Sequence, residues 1–407
     1  MRVVHLMPGA GGTFYCENCM RDAGLLRAMR RLGHDAISVP LYLPLQLEGL
    51  EPESPGPVFF GGINVYLQEK SALFRHTPRW VDCIFDAPAL LRWAASKAGM
   101  TDARTLAETT MSMLRGEDGH QVKELERLVA WLAAEQRPDV VCISNALLLG
   151  VARRVRQELG AAVVCQLQDE DIFLDAFPEP WRTQAWELVG ERARDVDAFL
   201  AVSRYYADLM GERLGLDADR VHVVYNGLAT EGYAPAEAPP DPPAIGFLER
   251  LCPEKGFDIL VEAFILLKER PEFADLQLRA AGGWTAGDKR FLESVHRRTE
   301  EAGVADAVDA LANLDRPARQ ALLRDVSVLS VPARHAEAFG MYVLEALATG
   351  VPVVLPQRGA FPELIEATGG GVLCEPEDSE ALAEALAELL LDDDRARALG
   401  EAGRGVV

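Results

Sequence analysis

Two short stretches carry residue types suited to chemistry. In Arg250-Leu251-Cys252-Pro253-Glu254-Lys255-Gly256, two cations stand five positions apart where an apolar run gives way to a helical pattern. Cations at a strand-to-helix turn, beside the backbone N–H groups of the helix start, suit a diphosphate. Taken alone, the same pair reads equally well as solvated surface charge. In Glu337-Ala338-Phe339-Gly340-Met341-Tyr342-Val343-Leu344-Glu345, two carboxylates flank a glycine that lets backbone approach a ligand closely. A carboxylate can accept a pair of sugar or ribose hydroxyls. Glu345 leads into Ala346-Leu347-Ala348 and then Gly350-Val351-Pro352-Val353-Val354, so it reads as a partly buried carboxylate that needs partners.

The elements that must hold these residues alternate between strand and helix. An apolar run at 3–7 ends in Pro8-Gly9-Ala10-Gly11-Gly12. A helical pattern through Leu25, Leu26, Met29 and Leu32 follows, closed by Gly33, and 36–41 reads as a second buried strand. This is the opening of a parallel, doubly wound sheet. Residues 42–135 break the rhythm: a turn at 52–57, a strand at 63–67, interrupted helices over 71–100 and a helix over 121–134. Strands at 140–143, 163–167, 198–202 and 221–225 then alternate with helices. The stretch 233–243, rich in proline, marks a boundary between a first domain, 1–232, and a second, 244–407. Beyond it the rhythm restarts, with strands at 244–248, 276–280, 326–331 and 351–355 and helices at 256–270, 291–303, 342–349 and 380–391.

Composition narrows the classes of function. At 407 residues, the length fits two domains or three, and with 49% apolar and 26% charged residues the composition is that of an ordinary soluble sequence. No stretch approaches the roughly 18 apolar residues that cross a bilayer. Its start reads as a first strand rather than a signal peptide. A net charge of −22 repels a phosphate backbone, which argues against nucleic acid and makes any local cation pair more informative. Seven cysteines, an odd number set mostly in apolar runs, fit a reducing, cytoplasmic setting.

The two stretches together resemble the retaining family 4 glycosyltransferases of the GT-B fold. Further marks agree: Gly11-Gly12 before Leu32-Gly33-His34, Val202-Ser203 before Asn226-Gly227, Gly359-Ala360-Phe361-Pro362-Glu363, and Gly370-Gly371. The likeness covers about 1–40 and 140–407 and is strongest from 244 onward. It implies two doubly wound, Rossmann-like α/β domains facing each other across a cleft. It implies that Arg250 and Lys255 neutralise the diphosphate of a nucleotide-sugar donor and that Glu345 holds the ribose hydroxyls. Glu337 would hold a hydroxyl of the transferred hexose. The backbone amides of Phe339, Gly340, Met341, Tyr342 and Val343 would contact sugar and phosphate, and Gly12 would close over the phosphates. The acceptor is a hydroxyl of unspecified identity, on a small molecule, glycan or lipid-linked sugar. No cofactor is needed beyond the donor, and no ligand spacing points to a metal. Where the family carries a histidine after the strand at 163–167, this chain has Gln168, followed by Asp169. Gln168 can hydrogen-bond a sugar hydroxyl but carries no proton. Family members continue past the region matching 399–404 into a helix that crosses back to the first domain, and this sequence stops at Val407.

Other signals carry less. Gly9-Ala10-Gly11-Gly12-Thr13-Phe14 fails the dinucleotide fingerprint because Phe14 takes the third glycine's place. Cys16-Glu17-Asn18-Cys19 lacks a second cysteine pair and reads as cleft lining rather than a zinc or redox site. The basic and aromatic residues between Lys70 and Lys97 read as an acceptor-side lid or core helices rather than a membrane contact. His335, two positions before Glu337, is a candidate neighbour of the site. The rival readings are a nucleotide-sugar epimerase or hydrolase of the same fold, with Asp169 or Glu170 as acid/base, and a non-catalytic sugar-nucleotide-binding protein.

Overall fold

The computed structural model describes residues 1–8, 17–42, 59–60, 68, 103–312 and 314–407. Gly12, Cys16, the side chain of Cys19, and the turn, strand and helices expected over 52–57, 63–67 and 71–100 lie outside the described residues. The described residues form two compact units. One holds Asn18–Tyr225 and the strand that precedes it, the other Asn226–Val407.

The first unit is a sheet of β1 (Arg2–Met7), β2 (Asp35–Pro40), β3 (Val140–Ile143), β4 (Ala162–Leu167), β5 (Ala198–Ala201) and β6 (Val221–Val223). Its strand order is β2-β1-β3-β4-β5-β6, with every pairing parallel. The helices between strands include α1 (Glu17–Arg31), α2 (Ala103–Leu114), α3 (Val122–Trp131), α4 (Ala152–Leu159), α5 (Glu170–Asp175), α6 (Trp181–Arg192) and α7 (Arg204–Leu214). Residues Val3, Val4, Leu6 and Met7 of β1 are all buried, as a strand covered on both faces requires.

The second unit repeats the plan. Its strands are β7 (Ala244–Leu248), β8 (Gln277–Ala281), β9 (Val308–Leu311), β10 (Val328–Ser330), β11 (Val353–Pro356) and β12 (Gly371–Cys374), in the order β12-β11-β10-β7-β8-β9. Again every pairing is parallel. The helices are α8 (Phe257–Lys268), α9 (Lys289–Glu301), α10 (Arg316–Arg324), α11 (Met341–Ala348), α12 (Phe361–Thr368), α13 (Ser379–Leu391) and α14 (Asp393–Val406). Five of these elements, β9, α10, α12, β12 and α14, lie where the sequence reading marked none. The stretch expected as a linker starts in packed structure: Tyr233 is buried and its hydroxyl donates to Glu345.

The last helix docks on the second unit through glycine. A Cβ at Gly400 would stand 2.0 Å from the carbonyl oxygen of Gly350, while one at Gly405 would meet nothing within 4 Å. Gly400→Ala is therefore expected to destabilise the protein by roughly 1–3 kcal/mol through overpacking. Gly405→Ala on the same helix is expected to be neutral or to stabilise by up to ~1 kcal/mol, since alanine is the better helix former. Urea denaturation of the two variants checks this, and equal effects would refute the close docking.

Candidate active site

The strand order of the second unit places a crevice beside the two charged stretches. The chain leaves β7 toward β8 and β9, then returns to β10 on the other side of β7. At such a switch point the loops leaving the two central strands diverge, and ligands of open parallel sheets bind outside their carboxyl ends. Arg250 to Lys255 follows β7, and Glu337 follows β10.

Close backbone contact joins these two loops. Gly256 has a φ of +71°, and a Cβ there would lie 1.9 Å from the carbonyl oxygen of Pro332. The Arg334 N–H donates to the Glu254 carbonyl at 2.9 Å, and the Arg334 guanidinium grips Asp258 with two bonds of 2.7 Å. This stitching sets Lys255 Nζ 2.7 Å from Glu337 Oε1 and 3.5 Å from Glu249 Oε2. His335 Nε2 lies 3.1 Å from the same Glu337 oxygen. Glu337 is wholly buried, and its main-chain carbonyl accepts from Ala360 N–H at 3.0 Å. Its other carboxylate oxygen, Oε2, is buried with no hydrogen-bond partner among the described residues. Burial alone would push this carboxyl up, but the Lys255 ammonium and His335 outweigh it and hold it well below the usual range. Lys255 and Glu337 are thus brought together as a pair. Arg250 stays exposed, its guanidinium 3.2 Å from Glu254.

Beyond Glu337, Gly340 has a φ of +97° and opens α11. Phe339, Met341, Tyr342 and Val343 are all buried at the start of this helix. Of their amides, the Val343 N–H already donates to the Gly340 carbonyl at 3.1 Å. Glu345, in the middle of α11, is wholly buried, and its Oε1 accepts from Arg319 Nε at 3.2 Å and from the Tyr233 hydroxyl. Neither partner was marked by the sequence reading. The one available signal was the spacing of Arg316, Arg319 and Gln320, which share a face of α10 at i, i+3 and i+4.

The expected sugar-contact pair lies in the first unit, at the carboxyl end of β4. Gln168 is buried, and its Oε1 accepts from Arg21 Nη1 at 3.1 Å. Arg21 also donates to Asp22 Oδ1 at 2.9 Å and to the Ser144 carbonyl at 2.7 Å. Burial alone would raise the Asp22 carboxyl, but Arg21, the nearby His5 and the hydrogen bond from the Ser144 hydroxyl hold it at about 2. Asp169 takes a left-handed backbone conformation with φ +62°, unusual for a residue with a side chain. Glu170 is buried and accepts from the amides of Ala146 and Gln168 and from the Tyr206 hydroxyl, at 2.8–2.9 Å. Burial pushes its carboxyl up. Its oxygens hold the β3 and β4 ends together.

Comparison with known proteins accounts for this pattern. A family model described as "Glycosyl transferases group 1" matches residues 233–406, and one described as "Glycosyltransferase Family 4" matches 109–231. The chain belongs to glycosyltransferase family 4. Its relatives include the GDP-mannose-dependent alpha-(1-6)-phosphatidylinositol monomannoside mannosyltransferase of Mycobacterium tuberculosis. That protein is 34% identical over 40% of this chain and 42% of its own length. The D-inositol 3-phosphate glycosyltransferase of Stackebrandtia nassauensis is 30% identical over 65% of this chain and 58% of its own. The chain thus spans about half the length of the curated relatives it matches. Among solved structures, a sucrose-phosphate synthase from Thermosynechococcus elongatus superposes with a TM-score of 0.70 at 18% identity, covering 99% of this chain and 93% of that one. Anabaena HepE in complex with UDP does so at 0.68 and 16%, covering 100% and 94%. The fold is GT-B.

For this family 4 member, the buried ion pair makes a sign-specific prediction. Lys255→Ala leaves Glu337 buried without its ammonium partner, a change expected to cost about 3 kcal/mol at pH 7. In the wild type the lowered carboxyl contributes stability above its ordinary value of 4.5 and loses it as pH falls further. In the variant, burial raises the carboxyl instead, so the native state takes up a proton first. The stability gap between the two proteins should therefore shrink as pH falls from 7 toward 4. Denaturation at four or five pH values tests this, and a gap independent of pH would refute the pairing.

Proposed function

We propose that the protein is a retaining glycosyltransferase that moves a hexosyl group from a nucleoside-diphosphate sugar to an acceptor hydroxyl. The observation that carries the reading is Glu337: a fully buried carboxylate with one oxygen on Lys255 and the other without a hydrogen-bond partner among the described residues. A buried, unpartnered acceptor costs free energy unless a ligand donor reaches it, and a hexose hydroxyl is such a donor. Lys255 is then shared between Glu337 and the donor diphosphate, with exposed Arg250 as the second cation. Glu345 takes the ribose hydroxyls, and the main chain from Phe339 to Val343 lines the sugar and phosphate. Gln168 and Asp169, at the end of β4, serve the sugar and acceptor side.

In this reading the donor is the only co-substrate and no cofactor is called for. The bond from the anomeric carbon to the leaving phosphate breaks as the acceptor oxygen bonds to the same face. The acceptor proton passes to the departing phosphate oxygen. The protein's part is positioning and charge stabilisation. The names of the relatives favour GDP-mannose as first donor, with inositol phosphates and phosphatidylinositol mannosides as first acceptors. No helix among the described residues is long and apolar enough to cross a membrane. We place the reaction in the cytoplasm.

The test is product formation from GDP-mannose and from UDP-hexoses with those acceptors, with the new anomeric centre assigned by NMR. An inverted product, or epimerised donor without acceptor, would refute the proposal. Among variants, Glu345→Gln is expected to weaken donor binding by roughly 1.5–3 kcal/mol, as for a lost charged hydrogen bond. Glu337→Gln is expected to lower kcat at nearly unchanged nucleoside-diphosphate affinity, because it meets the reacting sugar rather than the nucleotide. Normal turnover in both variants would exclude these roles.

A further inference from the structure

Glu345 is the one acidic residue of α11, and it is wholly buried among apolar neighbours. A carboxylate in such a place must be paired and hydrogen-bonded or give up its charge. Two of its donors converge on one oxygen. Arg319 Nε reaches Oε1 at 3.2 Å, and the Tyr233 hydroxyl reaches the same atom. Two donors on a single oxygen fix the rotation of the carboxylate plane, which is otherwise the softest torsion of a glutamate.

Each donor is itself held. Arg319 is buried, and its Nη1 donates to the Leu314 carbonyl at 3.1 Å, in the segment between β9 and α10. The Tyr233 ring lies under the Arg316 guanidinium, 5.4 Å from centroid to Cζ. Arg316 Nη2 donates to the Glu231 carbonyl at 2.9 Å, and Gln320 Nε2 donates to the same carbonyl at 3.1 Å. One face of α10 therefore grips the chain at 231–233 and the glutamate of α11 together. Burial and the Glu345 charge push the Tyr233 hydroxyl up, so it remains a donor across the working pH range. Replacing the buried pair by apolar residues would serve stability as well or better, so stability alone does not explain a buried arginine here.

We propose that Arg319 and Tyr233 are positioning residues that orient Glu345 toward a ribose diol, so that discrimination between ribo- and deoxyribonucleotides depends on them. The inference rests on the proposed nucleotide-sugar reading and deepens it: the recognised chemistry is the paired 2′ and 3′ hydroxyls of a nucleoside diphosphate. It assigns the preference to two residues that need not touch the ligand.

The experiment is calorimetric titration of the full chain with GDP and UDP, their 2′-deoxy and 3′-deoxy forms, and inorganic pyrophosphate. The wild type is expected to bind a ribonucleotide at least ~tenfold more tightly than its deoxy forms, as for a lost hydrogen bond to a charged group. Tyr233→Phe keeps the ring under Arg316 and removes only the hydroxyl. Arg319→Met keeps the volume and removes the charge. Each is expected to bring the ribo-to-deoxy ratio down to within about threefold of unity, with pyrophosphate affinity unchanged and donor KM raised more than kcat is lowered. Arg319→Lys is expected to restore part of the ratio. A wild-type ratio near one, or variants that keep the wild-type ratio while folded by circular dichroism, would overturn the inference and leave the transferase reading standing. A wild type that binds no nucleoside diphosphate would overturn both. Should Arg319→Met fail to fold, Tyr233→Phe alone decides between these outcomes.

Discussion

The second unit is organised around the cost of taking the Glu337 charge out of water. That cost is met only if an ammonium group is delivered to within hydrogen-bond distance, and Lys255 is 2.7 Å away. Lys255 can stand there because the turn that carries it presses against Pro332, where only a residue without a Cβ fits. The turn in turn is held by Arg334, which reaches across to Asp258 and the Glu254 carbonyl. The ion pair, the glycine and the arginine are thus one constraint seen at three points. The parallel order of β7 and β10 supplies the remaining condition, since it brings the two loops side by side.

The two units solve a similar problem in different ways. Both carry buried charges at the carboxyl ends of parallel strands. In the first unit, Arg21, Asp22, Ser144 and Gln168 satisfy one another, and Glu170 is spent on main-chain amides. In the second, the Glu337 carboxylate keeps one oxygen without a hydrogen-bond partner among the described residues. Asp169, beside Gln168, shares its left-handed backbone with one other side-chain-bearing residue among the described residues of the first unit, Arg137.

Much of this was legible in the residues. Apolar runs bounded by glycine and proline marked most of the strands, because strands buried on both faces leave uninterrupted hydrophobic text. The Lys255 and Glu337 stretches stood out because charge beside glycine is rare inside such text. What stayed hidden depended on distant partners. Nothing local says that Tyr233, in a stretch rich in proline, is buried on Glu345, and the shared face of Arg316, Arg319 and Gln320 does not say that Arg319 turns inward to the same carboxylate. The edge strand β9 escaped because three of its four residues are exposed and it carries no buried run. The order of the strands cannot be read from alternation alone; it is a property of long-range pairing.

The burial of the Lys255 and Glu337 pair separates the protein's electrostatics into two regimes of ionic strength. The net charge of −22 belongs mostly to solvated side chains, whose mutual repulsion is screened over a Debye length of about 10 Å at 0.1 M salt. The Glu337 carboxylate has no exposed surface, so its 2.7 Å contact with Nζ is screened far less than the surface charges. Added salt therefore relaxes the repulsion that spreads the acidic surface while leaving the attraction at the crevice nearly untouched. Salt thus acts more on the acidic surface and on exposed Arg250 than on the buried half of the pair.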